Sequence, residues 1–299
     1  MRLNAEQFMT LYNMRQELAP RGWNPLSPLS DFQQYFAQLG SMQHDWHIPK
    51  RRWTTSPSPW LLDRLQDTHG AIIVSIHFSL YFRFLPIYVG HVLKTLHRDK
   101  RLGIVMERDS LALESPAWHE RAASLNLFPV DAQSRHVGLG IFRALLNGDI
   151  IFTYLDADAG LGENPDSLSV DFLEHGAKLR SGLFRLAVKS HSPILPLVSS
   201  PSGDLLWGPI IGADTVQAIG LQAAAQHCMT FFEQCIVQWP YAWFHWASHH
   251  YRTSRDETSC TVLPGFSPET EWVVCDDCVP SLRLHLPSGA VYIVESEEA

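Results

Sequence analysis

The chain has 299 residues, of which 45% are hydrophobic and 18% are charged, and its formal net charge is −8 at pH 7. This size and apolar content suit one large α/β domain with a small appendage, or two modest domains. The acidic balance argues against a nucleic-acid partner, because there is no basic excess to neutralise phosphates. No stretch approaches the ~20 continuous apolar residues of a membrane span, and the polar N-terminus lacks the apolar centre of a signal peptide. We therefore expect a cytoplasmic protein with at most peripheral membrane contact.

The order of the predicted elements is typical of an α/β fold. A short amphipathic helix comes first, ends at Pro20-Arg-Gly22, and carries its apolar residues at Phe8, Leu11, Tyr12 and Leu18. Apolar runs predict buried strands over 72–76, 104–106, 127–130, 150–155 and 194–197. Helical patterns alternate with them over 78–98 (kinked at Pro86), 114–125, 138–147, 181–190 and 215–238. This alternation predicts a central mixed sheet flanked by helices.

The character of the sequence changes near residue 256. Prolines and glycines then punctuate short β-like runs such as Val273-Val274 and Val291-Tyr-Ile-Val294. We expect a main domain over 1–255 and a small β-rich C-terminal extension over 256–299. Because about forty residues are near the lower limit for independent folding, this extension should pack on the main domain.

The cysteines allow two interpretations. An odd number of them, without a secretion signal, predicts reduced cytoplasmic thiols. Cys275-Asp-Asp-Cys278 has the spacing of half a zinc site, and Cys260 and His285 would have to supply the other half. Otherwise these cysteines are ordinary thiols in a β-turn. We expect neither a resident metal nor a cofactor.

His77 follows the apolar run of the first central strand, in Gly70-Ala-Ile-Ile-Val-Ser-Ile-His-Phe-Ser-Leu-Tyr-Phe82. At the end of a buried strand, an imidazole can face a pocket and act as a general base near neutral pH. A second strand ends in Asp156-Ala-Asp158, again at the edge where α/β folds collect catalytic groups. Alternatively, these aspartates cap the turn before Gly160.

Two later segments complete the set of candidate motifs. Ser181-Gly182 opens a predicted helix, whose unpaired backbone amides suit an anion or phosphate. Arg180 and Arg185 would add positive charge there, or would simply face solvent. The Trp-rich segment Gln238-Trp-Pro-Tyr-Ala-Trp-Phe-His-Trp-Ala-Ser-His-His-Tyr-Arg252 follows the last predicted helix.

Taken together, these four blocks resemble the bacterial lipid A late acyltransferases (lauroyl/myristoyl-type enzymes) of the glycerolipid acyltransferase superfamily. In that family the first motif is His, four residues, then Asp or Glu. The third block is the segment from Val170 to Pro196 that contains Ser181-Gly182, and it matches the family at Val170, Phe172, Ala177, Gly182, Leu186, Ala187 and Pro196. The fourth block is the Trp-rich segment, and it matches at Pro240, Trp243, Trp246 and His249. The resemblance departs at Phe82, which stands where the family has its carboxylate, and in the absence of the family's usual N-terminal membrane anchor.

The resemblance implies an acyltransferase-like fold in which His77 is the base. Asp158 or Asp156 would then replace the missing acid, unless His77 works alone. Arg135, which precedes a helix as a basic residue does in the family, would contact a phosphate together with Arg180. The apolar residues Phe78, Tyr81 and Phe82 would accommodate an acyl chain or peptide side chain, or would simply fill the core.

The sequence thus supports one leading hypothesis and two alternatives. The leading one is transfer of an acyl or aminoacyl group from an acyl- or peptidyl-carrier protein, or from coenzyme A, to a small amine or hydroxyl acceptor. The first alternative is a family member that has lost catalysis and binds carrier proteins as a scaffold. The second is a thioester hydrolase, in which water replaces the acceptor.

Overall fold

The computed structural model of the protein describes residues 2–22, 27–42, 70–96, 100–112, 114, 116–157, 166–251, 272–275, 277, 281–286, 288 and 290–294. The strands are β1 (Arg2–Leu3), β2 (Ala71–Ser75), β3 (Leu102–Met106), β4 (Leu127–Asp131), β5 (Ile150–Tyr154), β6 (Ser167–Phe172), β7 (His175–Arg180), β8 (Ile194–Ser199), β9 (Leu205–Trp207), β10 (Trp272–Cys275), β11 (Ser281–His285) and β12 (Val291–Val294). The helices are α1 (Ala5–Leu18), α2 (Ser27–Met42), α3 (Leu85–Leu96), α4 (Arg108–Ala112), α5 (Pro116–Ser124), α6 (Val137–Leu146), α7 (Gly182–Lys189), α8 (Ala213–Ile219) and α9 (Leu221–Gln238).

The centre of the fold is a six-stranded sheet in the order β4–β3–β5–β2–β8–β9. All its pairs are parallel except β8–β9, at one edge. Side chains alternate between the two faces, so that Ile72 and Val74 enter one core while Ile73 enters the other. This confirms the prediction of a central mixed sheet flanked by helices, and the structure shows that the sheet is mostly parallel.

Helices cover both faces of this sheet. One core includes buried residues of α6, α7 and α9, such as Ile141, Phe184 and Phe232. The other includes Leu85 of α3 and Trp118 of α5. Because both faces are covered, the central strands carry the nearly continuous apolar runs from which they were predicted. None of the described helices has the length and apolarity that crossing a membrane requires.

A second sheet joins the two ends of the chain. β1 pairs in parallel with β10, and β10, β11 and β12 follow as antiparallel neighbours. Arg15 on α1 donates a hydrogen bond from Nε to the carbonyl of Leu286, at 2.6 Å. The β-rich C-terminal part therefore packs on the N-terminal helix. The expected boundary at residue 256 lies outside the described residues, and the division into 1–255 and 256–299 stays a prediction.

Three elements differ from the expected pattern. The helix expected over 215–238 is interrupted at Gly220, whose φ of +86° is one that glycine adopts without strain, and is therefore two helices. The helix expected over 78–98 begins only at Leu85, and Pro86 lies in its first turn, where proline is tolerated, rather than at a kink. The β6–β7 hairpin was not predicted as strands.

The described cysteines differ from one another in state. Cys228 and Cys235 are free and buried, and burial raises the pKa of each thiol to about 12. Such thiols are unreactive at neutral pH. Cys275 is disulfide-bonded, so the expectation of reduced thiols is wrong at this position, and Cys275 cannot be a zinc ligand in this state. Cys260 and Cys278 lie outside the described residues.

Candidate active site

The register of two central strands brings together two of the predicted catalytic residues. β2 and β5 are parallel neighbours, and Ser75 pairs with Tyr154 at their carboxyl ends. His77 and Asp156 each lie two residues beyond this pair, and so emerge side by side at the same edge of the sheet. The Nδ1 atom of His77 is 2.8 Å from Oδ1 of Asp156, and the backbone amide of His77 donates to both carboxylate oxygens, at 3.1 and 2.9 Å.

Asp156 is held as a buried carboxylate. Its side chain is only 3% exposed, and its Oδ2 atom also accepts a hydrogen bond from the indole of Trp243, at 3.0 Å. Burial by itself would raise the pKa of this carboxyl group. The positive charge that His77 and His245 carry when protonated, together with the hydrogen bonds from His77 and Trp243, outweighs burial and holds the pKa well below its usual range.

The third member of the site is His245, which comes from a distant segment of the chain. The backbone amide of Ser79 donates to the carbonyl of Ala242, and that of Phe244 donates to the carbonyl of His77. This short antiparallel contact directs His245 toward the site. Its Nε2 atom lies 3.1 Å from Nδ1 of His77 and 3.8 Å from Oδ2 of Asp156.

These contacts fix the tautomer of His77. A carboxylate can only accept, so the Nδ1 atom of His77 carries a hydrogen and donates it to Asp156. Since that nitrogen then has no lone pair, Nε2 of His245 is a second acceptor of the same hydrogen. The lone pair of His77 resides on its Nε2 atom, which has no hydrogen-bond partner among the described residues.

Aromatic rings hold His77 in its orientation. Tyr154 stacks on the imidazole with a centroid separation of 4.5 Å, and Phe82 approaches edge-on at 5.0 Å. The Tyr154 hydroxyl donates to the backbone carbonyl of Phe82, at 2.7 Å. Phe82 therefore packs against the imidazole, and the carboxylate in contact with His77 is that of Asp156.

A cavity of about 480 Å³ lies beside the exposed part of the His77 ring. Much of its wall is apolar, with contributions from α3, β3, α5, α6 and α7. The ionisable residues that line it are His77, Arg83, Glu107, Glu114, Tyr154, Arg180 and His245. A chamber of this size and mixed character accommodates a small ligand with an apolar part and a few polar groups.

The structure brings only some of the predicted site residues to this cavity. His77, Phe82, Arg180 and Gly182 line it, while Ser181 lies buried at the start of α7. Two predicted arginines lie at the surface instead: Arg135 is exposed and donates to His136, and Arg185 is paired with Asp166. Of the predicted aromatic residues, Phe78 is in the core against Trp239, and Tyr81 is half-buried and does not line the cavity. Asp158 lies outside the described residues.

Sequence reasoning missed His245 and the cavity residue Glu114. The family resemblance runs through His249 in this segment, but His249 is 1% exposed, contacts Glu17 and does not line the cavity. The available signal for His245 was its place in the same Trp-rich segment. Assigning it required the pairing of residues 242–244 with 77–79, which the sequence does not reveal.

The donor atoms of His77, Asp156 and His245 lie within 4.8 Å of one another, close enough to hold a metal ion. Imidazole and carboxylate are a ligand set for zinc and related metals. Here, however, both oxygens of Asp156 already accept hydrogen bonds, from the His77 amide, the His77 ring and the Trp243 indole. The arrangement therefore fits a hydrogen-bonded pair better than a metal centre.

Comparison with known proteins adds no family or function. No protein-family model matches the sequence, and no curated protein matches it either. The chemistry of the site has to be inferred from its own geometry.

Proposed function

We propose that this chain is an acyltransferase that moves an acyl or aminoacyl group from the thioester of a carrier protein or of coenzyme A to a small amine or hydroxyl acceptor. The observation that carries the proposal is the contact of the buried Asp156 carboxylate with His77, whose ring lines a cavity. In the resembled lipid A acyltransferases an acid near the histidine in sequence orients the base. In this mechanism Asp156, which follows the adjacent strand β5, is the acid that orients His77.

The reaction begins with the acceptor bound beside Nε2 of His77. As the acceptor nitrogen or oxygen bonds to the thioester carbonyl carbon, Nε2 takes its proton. Collapse of the tetrahedral intermediate breaks the C–S bond, and the departing thiolate receives the proton from the imidazolium. Asp156 stabilises the imidazolium and keeps the hydrogen on Nδ1. An amine needs less activation than an alcohol, because its free base is already nucleophilic.

The cavity suggests how the donor binds. Its apolar walls suit an acyl chain, while Arg180 and the first amides of α7 suit a phosphate of the donor's arm. Arg135 and Arg185 are outside the cavity and would contact only the surface of a carrier protein. The donor brings its own activated bond, so the mechanism uses no further cofactor. Dependence on such thioesters also makes a cytoplasmic location part of the proposal.

The test is intact-protein mass spectrometry of a panel of acyl- and aminoacyl-carrier proteins, incubated with wild type or His77→Ala, with and without candidate amines. We expect the acyl mass to disappear only with wild type, and faster when an acceptor is present. A repeat after treatment with a chelator should give the same rate, since no step uses a metal.

Other outcomes would favour the alternatives. Equal loss of the acyl mass with and without acceptors would identify a thioester hydrolase. Unchanged masses across a broad panel, with carrier proteins still bound, would identify a scaffold and refute the transferase. Loss of activity on chelation, restored by zinc or another divalent ion, would show that His77, Asp156 and His245 hold a metal.

A further inference from the structure

The cavity beside His77 contains an unsatisfied acidic group. Glu114 lines this cavity, and its Oε2 atom is buried without a hydrogen-bond partner. No described lysine, arginine or histidine forms an ion pair with it. Leaving a charged oxygen buried and unpaired is costly, whereas a ligand that donates a hydrogen bond would remove that cost. Glu114 therefore combines a place in the wall of the cavity with an unpaired carboxylate oxygen, and this combination suits a binding group.

Glu114 lines the same cavity as the proposed base, His77. It follows α4, and its backbone amide donates to the carbonyl of Leu111. Its charge acts on the Tyr154 hydroxyl, and the Tyr154 ring stacks on His77. A ligand that fills this cavity of about 480 Å³ would therefore meet both Glu114 and His77, since both line it.

The carboxyl group of Glu114 suits a ligand that donates several hydrogen bonds. Burial raises the pKa of its carboxyl group, although the charges of Arg83 and His119 act in the opposite direction. An alkylammonium group offers three donors and a full positive charge, and charge-assisted hydrogen bonds are about twice as strong as neutral ones. An alcohol would offer a single neutral donor.

We propose that Glu114 binds the ammonium group of a bifunctional acceptor, such as a diamine or an amino alcohol, whose other amine or hydroxyl group is presented to His77. This inference rests on the proposed function, and it narrows the acceptor to molecules with a second, cationic nitrogen. The reacting group stays uncharged, while the ammonium group held by Glu114 sets the orientation.

The kinetic test compares 1,4-diaminobutane with butylamine as acceptors. We expect wild type to prefer the diamine, and Glu114→Gln to raise the KM for the diamine about tenfold or more while changing that for butylamine less than about threefold. Glu114→Asp, which keeps the charge, should retain part of the preference. Asp109→Asn is the matched control, because it removes an exposed carboxylate of α4 that does not line the cavity.

A binding test does not depend on catalysis. Isothermal titration calorimetry should detect 1,4-diaminobutane binding to wild type and to His77→Ala, and no binding to Glu114→Gln or of 1,4-butanediol to wild type. Equal binding of the diamine to wild type and Glu114→Gln, or no binding to either, would refute the ammonium site. If Glu114-dependent binding is present but no acyl transfer occurs with any donor, the ammonium site stands and the acyltransferase proposal fails. Circular dichroism of each variant confirms that it is folded.

Discussion

The Asp156 site and a second cluster around Glu17 use the same chemical groups in different surroundings. Glu17, on α1, accepts hydrogen bonds from His175 at 2.6 Å, from His249 at 3.0 Å and from the backbone amide of Glu174 at 2.7 Å. Its side chain is fully buried. Burial opposes ionisation, but the hydrogen bond and charge of His249, the Glu174 amide and the charge of His175 lower the pKa of Glu17 below its usual value.

The two clusters differ in whether their histidines line the cavity. His77 and His245 are about one-fifth exposed, and both line the cavity. His249 is 1% exposed, and neither it nor His175 belongs to that lining. Glu17 instead connects α1 to the β6–β7 turn and to the segment after α9. A carboxylate–imidazole pair therefore suits catalysis only where the second ring nitrogen can contact a ligand. Elsewhere it stabilises the packing of helices and strands against one another.

The sharpest way to test this comparison is Asp156→Asn. The amide can donate to Nδ1, which favours the wrong tautomer of His77, so we expect kcat/KM for acyl transfer to fall about 10³-fold. Stopped-flow or mass-spectrometric rates on the folded variant would measure it. A fall of less than about tenfold would mean that His77 works without Asp156.

Glu17→Gln tests the other cluster, for which we expect a structural role. It leaves His249 and His175 without their charged partner, so we expect the free energy of unfolding to drop by about 3 kcal/mol. The activity per folded molecule should stay within about twofold, because Glu17 is outside the cavity. Urea denaturation and kinetics below the transition measure the two effects. A large loss of activity with unchanged stability would reverse the roles assigned to the clusters.

His245 should have a smaller effect as a positioning residue. Without the second acceptor for the Nδ1 hydrogen, His245→Phe should lower kcat about tenfold with little change in the KM of the acceptor. His245→Gln keeps an acceptor and should recover most of the rate. Steady-state kinetics of both variants would measure this, and an unchanged kcat in His245→Phe, or an equal loss of kcat in both variants, would contradict a role at His77.

The smallest predicted effect is on how the free energy of unfolding depends on pH. The folded pKa of Glu17 lies below its unfolded value of about 4.3, so the native state binds fewer protons than the unfolded state. Its stabilisation is therefore complete above that value and is lost as the pH falls through the folded pKa. The stability difference between wild type and Glu17→Gln should shrink between pH 7 and pH 3. Urea midpoints at both pH values would show it, and a constant difference would argue against an ionised Glu17.

The sequence was sufficient where the signal is local. Continuous apolar runs located the central strands, and the ends of β2 and β5 presented His77 and Asp156 as candidates. Their contact required the parallel register, which becomes apparent only once the strand order is known. The positions of His245 and Glu114 depend on contacts between distant segments and on the shape of a cavity. Gly220 illustrates a local limit, since one glycine within an Ala-rich helical pattern can either continue the helix or divide it.

The parallel pairing of β1 with β10 has a consequence for the biosynthesis of the protein. Arg2 pairs with Val274, so the partner of the first strand leaves the ribosome about 270 residues later. At 5–20 residues per second this interval is on the order of tens of seconds. During it, β1 lacks the strand that it pairs with in the described sheet, and Arg15 of α1 lacks the Leu286 carbonyl, so this part of the fold stays incomplete. Translation speed and chaperone supply should therefore affect the yield of native protein more strongly than its final stability.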